Sequence, residues 1–158
     1  MIRRATPSDI DQLVTLARLE HAASAMRDQP FDELVVRSRF VGTINGLATA
    51  VFVSETDGKL DGVIAGMVQQ NLHNRYSTVY ELMWFSLSGA GLQLLASLKD
   101  WANRMRATAL VIHNYAGIKS TETFNKVMAR KGFDQLGTSH RMWWYKDNGD
   151  GSRRPIHR

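Results

Sequence analysis

The chain reads as one mixed α/β domain, a mainly antiparallel sheet of about six or seven strands flanked by about four helices. Three observations predict this. Residues 47 to 85 hold β-branched and small apolar runs separated by a turn signal and a polar loop. Residues 89 to 106 carry apolar side chains at helical spacing and lead into the apolar run Ala107 to His113, a strand–helix–strand order that closes as a right-handed parallel crossover. The 158 residues are 44% hydrophobic and 22% charged, a globular mix long enough for one sizeable core.

Taken in order, Ile2 to Ala5 predicts a short first strand. Thr6-Pro7-Ser8-Asp9 is a helix start: Thr6 suits the N-cap, Pro7 the first helical position and Asp9 the capping-box acid. Ile10, Leu13, Val14 and Ala17 follow at helical spacing. A second helix is expected from near Pro30, with Phe31, Leu34 and Val35 inward. Leu47 to Ser54 and Leu60 to Gln70 flank Thr56-Asp57-Gly58-Lys59, a two-residue hairpin signal. Asn71 to Arg75 reads as a loop, and Ser77 to Phe85 completes an antiparallel meander. In the helix of residues 89 to 106, Leu94, Leu95, Leu98, Trp101, Ala102 and Met105 fall on one face. Ala107 to His113 suits a strand buried on both faces. A last helix, Ser120 to Arg130, ends at Gly132, a left-handed C-terminal cap, and Phe133 onward with Ser139 to Lys146 supplies the closing strands. No repeat or linker divides residues 1–146. Residues 147–158, polar, Gly-rich and basic, are expected to form an unstructured tail.

Composition narrows the function. Without cysteine there is no disulfide framework, thiolate metal site or thiol nucleophile. No apolar window reaches the ~18 residues of a membrane span, and the start lacks the apolar stretch of a signal peptide, so a cytoplasmic protein is expected. The net charge is +5 and the pI about 9.8. The basic residues are nevertheless scattered. Lys146 to Arg158 alone holds four positive and two negative charges, which disfavours nucleic acid as the partner. Trp143 and Tyr145 share a strand face in Trp143-Trp144-Tyr145, and this suits core packing and an edge or homodimer contact better than base stacking. His21, His73, His140 and His157 lack metal-ligand spacing, and no metal is expected.

The informative segment is Phe85-Ser86-Leu87-Ser88-Gly89-Ala90-Gly91-Leu92-Gln93-Leu94-Leu95. A strand ends, a Gly-x-Gly turn follows and a long amphipathic helix begins. The first helical turn has N–H groups without intrahelical partners and a positive dipole end. Gly89 and Gly91 let an anion approach the backbone, and Ser88 is placed to cap the helix. The unit suits a diphosphate cradle. It also reads as a plain helix start with glycines for tight packing.

This turn, in this element order, resembles the GNAT superfamily of coenzyme A-dependent N-acetyltransferases over roughly Met1 to Lys146, and is similar to its divergent, phage-encoded members. The family's phosphate signature, Gln/Arg-x-x-Gly-x-Gly/Ala followed after two residues by paired leucines, is matched by Ser86-Leu87-Ser88-Gly89-Ala90-Gly91 and Leu94-Leu95, with Ser86 in place of Gln or Arg. Ala129-Arg130-Lys131-Gly132-Phe133 matches the Gly-Phe that ends the family's last major helix. Met128 stands where many members carry a tyrosine acid, and Thr121 where they often have Asn.

The resemblance implies acetyl-coenzyme A as cofactor and direct acetyl transfer to a primary amine of a small-molecule or protein acceptor. It implies cofactor contacts from Trp84, Phe85, Ser86, Ser88, Gly89, Ala90, Gly91 and Leu92, the N–H groups near Trp84 and Phe85 polarising the thioester carbonyl. Glu81, on the same strand, is the candidate base, and it reads equally as an outward or Arg-paired glutamate. His113 and Asn114 end the parallel strand, where ligands of α/β sheets collect; His113 could relay a proton and Asn114 bond the pantetheine arm. Tyr115 is the nearest phenol to replace the missing acid. Arg27, Arg37, Arg39 and Arg75 suit an acidic acceptor or a solvated surface. With Ser86 and Met128 at signature positions, a second reading stays open: a catalytically degenerate binding or assembly module of the same fold.

Overall fold

The structure is a computed structural model that describes residues 1–113, 121–135, 145–147 and 153–155, the last two segments as backbone. It divides into two compact units, residues 1–20 with 32–113, and residues 21–31 with 114–158. The elements are β1 (Ile2–Arg4), α1 (Ile10–Ala23), α2 (Glu33–Asn45), β2 (Thr49–Thr56), β3 (Lys59–Gln70), β4 (Ser77–Ser86), α3 (Gly91–Arg104), β5 (Ala109–Val111), α4 (Thr121–Arg130), β6 (Tyr145–Asp147) and β7 (Arg153–Pro155). Through α4 their order is the one the sequence predicts; the strand expected from Phe133 onward is not found at residues 133–135.

The first unit is built on a five-stranded sheet, β1-β2-β3-β4-β5, antiparallel except for the parallel β4–β5 pair. One sheet of six or seven strands was the expectation. The other two strands, β6 and β7, instead pair with each other in the second unit. β7 falls within the segment expected to be a tail, and Ser139 to Trp144 lies outside the described residues.

Local chemistry sets the element boundaries. Asp9 fulfils its expected role, its carboxylate accepting from the Thr6 N–H at 2.7 Å, but Pro7–Asp9 is a 3-10 turn and α1 starts after it. The β2–β3 turn puts Asp57 and Gly58 at φ 50° and 75°, the positive pair that a two-residue hairpin requires. At the end of α4, Gly132 takes φ 81°, and the Phe133 N–H reaches back to the Met128 carbonyl at 3.1 Å, a Schellman closure.

Two expectations are corrected. Leu34 and Val35 do not face inward: they are 78% and 44% exposed. Asp32 caps α2 by accepting from the Val35 N–H, which starts the helix later and turns Val36, Phe40 and Ile44 inward instead. The strand after α3 is three residues long and not buried on both faces: Ala109 is exposed, Leu110 and Val111 half-buried. It is the edge of the five-stranded sheet, and a short apolar run reads alike in a central and an edge strand.

The core lies where α3 meets the sheet. Leu94, Leu95, Leu98, Trp101 and Ala102 are buried as the spacing predicts; Met105, at the helix end, is partly exposed. A Cβ on Gly62 would meet Leu94 at 3.0 Å, and one on Gly66 would meet Leu98 at 2.7 Å, so β3 approaches the helix closely because these glycines lack side chains.

Candidate active site

Strand β4 carries the predicted site, and two irregularities shape it. The first is a bulge. Ala65 pairs with Met83 but Gly66 pairs with Glu81, leaving Leu82 as an extra residue. The bulge reverses which residues share a face. Glu81 lies across from Gly66, and Trp84 and Ser86 lie across from Ile64 and Gly62, so all three are on the face that α3 covers. Simple alternation along the strand would have separated Glu81 from Trp84. The second irregularity is the end of β5. The β4–β5 ladder runs only from Thr78–Ala109 to Tyr80–Val111, so the described part of β5 stops while β4 continues to Ser86.

Glu81 and His113 meet at that point. The Glu81 side chain is buried, and its Oε2 accepts the His113 backbone N–H at 3.1 Å. The same oxygen lies 3.7 Å from His113 Nδ1, an ion-pair distance. The carboxylate raises the imidazole pKa above 6.5, against the opposing effect of partial burial. The His113 side chain is 38% exposed while that of Glu81 is 1% exposed, so the imidazole and not the carboxylate is within reach of solvent. Glu20 on α1 is a second carboxyl of this region. Desolvation raises its pKa, and the Glu81 charge adds to the rise.

At the far end of β4, the Leu87 N–H bonds to the Asp61 carbonyl at 2.8 Å. Antiparallel pairing alternates from there, so the Phe85 N–H is directed at β3, and those of Trp84 and Ser86 are directed away from it. Phe85 is therefore corrected as a polarising amide; its buried ring belongs to the core. Ser86 places its Oγ in the interior, where it has no hydrogen-bond partner among the described residues.

The Gly-x-Gly turn follows. Gly89 takes φ 79° with open space around it. Ala90 is the N-cap of α3, and its carbonyl accepts from both Gln93 and Leu94 at 3.0 Å. The N–H groups of Gly89, Ala90, Gly91 and Leu92 have no such partner among the described residues. Ser88 does not cap the helix as expected, because α3 starts at Gly91 and the cap position is Ala90. The Trp84 indole donates to the Gly91 carbonyl at 3.1 Å, and a Cβ on Gly91 would lie 3.4 Å from the indole nitrogen. The ring thus packs beneath the turn and leaves its outer side open.

That outer side borders a polar cleft of about 300 Å³, lined by Ser88, Gly89, Ala90 and Gln93 together with Ser54, Thr56 and Asp61 of the β2–β3 hairpin. The hairpin residues were not foreseen. Asp61 is the extra residue of a second bulge, and its carboxylate accepts from the Ser54 hydroxyl and from Thr56 Oγ1 at 2.9 Å. Three oxygen-bearing side chains around a two-residue turn were the only signal for it.

Asn114 and Tyr115 lie outside the described residues. Met128, at the position of the family's tyrosine, is buried. Arg37 is occupied in exposed ion pairs with Asp11 at 2.6 Å and Glu33 at 3.6 Å. No group of three or more metal-ligating side chains occurs among the described residues, and no described helix is long and apolar enough to cross a membrane.

No protein-family model matches the chain, and no curated protein matches it in sequence. Its fold is nevertheless shared with solved structures. A tetramutant of the BH1408 protein from Bacillus halodurans superimposes with a TM-score of 0.74 at 16% identity, over 90% of this chain and 98% of that one. A predicted acetyltransferase of Clostridium acetobutylicum, solved with acetyl-CoA, gives 0.73 at 12% identity, over 90% and 94%. AAC(6')-Iy, in complex with the bisubstrate analog CoA-S-monomethyl-acetylneamine, gives 0.71 at 14% identity, over 90% and 96%. The strand–turn–helix unit, the parallel β4–β5 pair and these likenesses converge: the chain shares the fold of these acetyltransferase structures.

Proposed function

We propose that the protein is an acetyl-coenzyme A-dependent N-acetyltransferase. The observation that carries this reading is the turn at Gly89 to Leu92, whose N–H groups have no backbone partner among the described residues and whose Gly89 and Ala90 border a polar cleft. The residues fit the cofactor. The glycines keep the approach to the backbone open, and the helix start favours a diphosphate. The likeness to structures solved with acetyl-CoA or a CoA bisubstrate analog supports the same assignment.

When bound, the cofactor supplies an acetyl thioester. Gly89, Ala90, Gly91 and Leu92 would hold its diphosphate through their amides, with Ser88, Gly89 and Ala90 bordering the cleft. His113 takes the proton that the attacking amine loses, and Glu81 holds the imidazole in place and stabilises its charged form. His113 would then hold that proton for return to the leaving group, so one group would serve both steps. This assigns the base differently from the sequence reading: Glu81 is a positioning residue and His113 the catalytic one.

Release of free thiol, measured with a panel of primary amines, tests the reading. His113→Ala should lower kcat by roughly 100-fold, the scale of a lost general base. Glu81→Gln should lower it less and shift the pH profile. Wild-type turnover that is unchanged in both variants overturns the assignment.

The buried Met128 favours a second reading, a module that binds coenzyme A without turnover. Cofactor binding with no thiol release from any amine would establish it.

A further inference from the structure

We propose that the Glu81 carboxylate anchors the backbone at the end of β5 and so fixes how far the His113 imidazole stands from β4. This rests on the assignment of His113 as the base, which uses only the contact between Glu81 and the ring. The bond to the His113 backbone is a separate contact and the shorter one, 3.1 Å against 3.7 Å. It is also the only hydrogen bond of the Glu81 side chain among the described residues.

Backbone pairing does not hold this point. The β4–β5 ladder ends at Tyr80–Val111, and no backbone bond ties Ile112 to β4 among the described residues. The next tie is the one from a side chain, at His113. The other end of the strand differs: there the Thr108 N–H bonds to the Ser77 carbonyl at 2.9 Å. The start of β5 is thus held by backbone and its end by Glu81. The Leu82 bulge follows Glu81 directly, and a bulge bends the strand that carries it. β4 therefore turns where its pairing with β5 stops, and the reach across is set by the length of one side chain. The carboxylate needs this bond as well. At 1% exposure, with an imidazole 3.7 Å away as its other partner, it would be poorly compensated whenever the ring is neutral. An N–H donating to an ionised acceptor is among the stronger hydrogen bonds.

Two substitutions separate the anchor from the charge. Glu81→Gln keeps the length and one oxygen acceptor and loses the charge; Glu81→Asp keeps the charge and is one methylene short. Amide hydrogen exchange of the full chain without ligand reads the anchor. Exchange at His113 should rise about tenfold in Glu81→Asp, the scale of one lost hydrogen bond to a charged group, and much less in Glu81→Gln, with Val51 to Val53 unchanged in both. NMR titration of the His113 ring reads the charge and should order the variants the other way, its midpoint falling further in Glu81→Gln than in Glu81→Asp. Glu20, the other carboxyl of this region, is the same in both, so the difference reports Glu81. Kinetics carry the consequence. At a pH above every midpoint, where the ring is neutral in all variants, Glu81→Gln should retain most of the wild-type kcat and Glu81→Asp should lose about tenfold through displacement of the base. Exchange at His113 that rises as much in Glu81→Gln as in Glu81→Asp, or that stays at the wild-type rate in folded Glu81→Asp, overturns the proposal. If Glu81→Asp fails to fold, Glu81→Gln decides: retained protection at His113 supports the anchor, and a tenfold loss overturns it. Exchange ordered as predicted, with no thiol released from any amine, leaves the anchor standing and removes the transferase reading.

Discussion

Two part-buried ionic contacts set the behaviour of individual residues. Arg3 donates from Nη1 and Nη2 to the two Asp9 oxygens at 2.7 and 2.8 Å. With the Thr6 amide, this lowers the Asp9 pKa from 3.8 to about 2. Because the folded value is the lower one, the contribution is complete above about pH 4 and is lost as the pH falls toward 2; it amounts to roughly 2 kcal/mol. Asp9→Asn should therefore cost about that much in urea unfolding at pH 7, and the gap to wild type should close in acid. His113 has the opposite sign. Its folded pKa lies above 6.5, so the stabilisation from Glu81 is complete below 6.5 and fades as the pH rises through the raised value. Acetyl transfer that uses the neutral imidazole should rise across that same interval, and Glu81→Gln should move its midpoint to lower pH. Asp9 was legible in the sequence because capping is local, a matter of three residues' spacing. The Glu81–His113 contact was not, since 32 residues separate the partners. Each could be named a candidate, but nothing in the spacing shows one resting on the other.

The elements divide along the same line. Helix α3 was legible because five buried side chains repeat at helical spacing, and the β2–β3 turn because Asp57-Gly58 takes positive φ readily. Leu98→Ala should cost about 2–5 kcal/mol, since Leu98 is wholly buried against β3, and thermal unfolding would show it. Gly89→Ala meets no steric obstacle but is held at φ 79°, so it should cost only about 1 kcal/mol in stability while weakening cofactor binding measurably. The bulges at Leu82 and Asp61 were not legible. A bulge is fixed by the partner strand's register, and one sequence holds only its own side of that relation. The cost is specific: the sequence leaves the face of Glu81 open and gives no reason to single out Asp61. Helix α2 failed for a related reason, its exposed Leu34 and Val35 being too apolar to mark the solvent side.

At the scale of the molecule, element order was enough to reach the fold, because the crossover from β4 through α3 to β5 allows few arrangements. Strand order in the five-stranded sheet follows chain order, so each connection could be anticipated from its neighbours. The separate pairing of β6 with β7 could not, since two three-residue strands carry too little pattern to choose a partner. Nor does the fold name the acceptor, which is met by side chains that vary freely on a fixed scaffold. The claim on which the account turns is that the amides of Gly89 to Leu92 receive the cofactor's diphosphate. Amide-resolved NMR of the full chain titrated with acetyl-coenzyme A tests it most directly. Saturating shifts centred on residues 84–92, absent with acetate or pantetheine alone, are the predicted result; no saturable shift there at millimolar cofactor, or saturation at another surface, would contradict it.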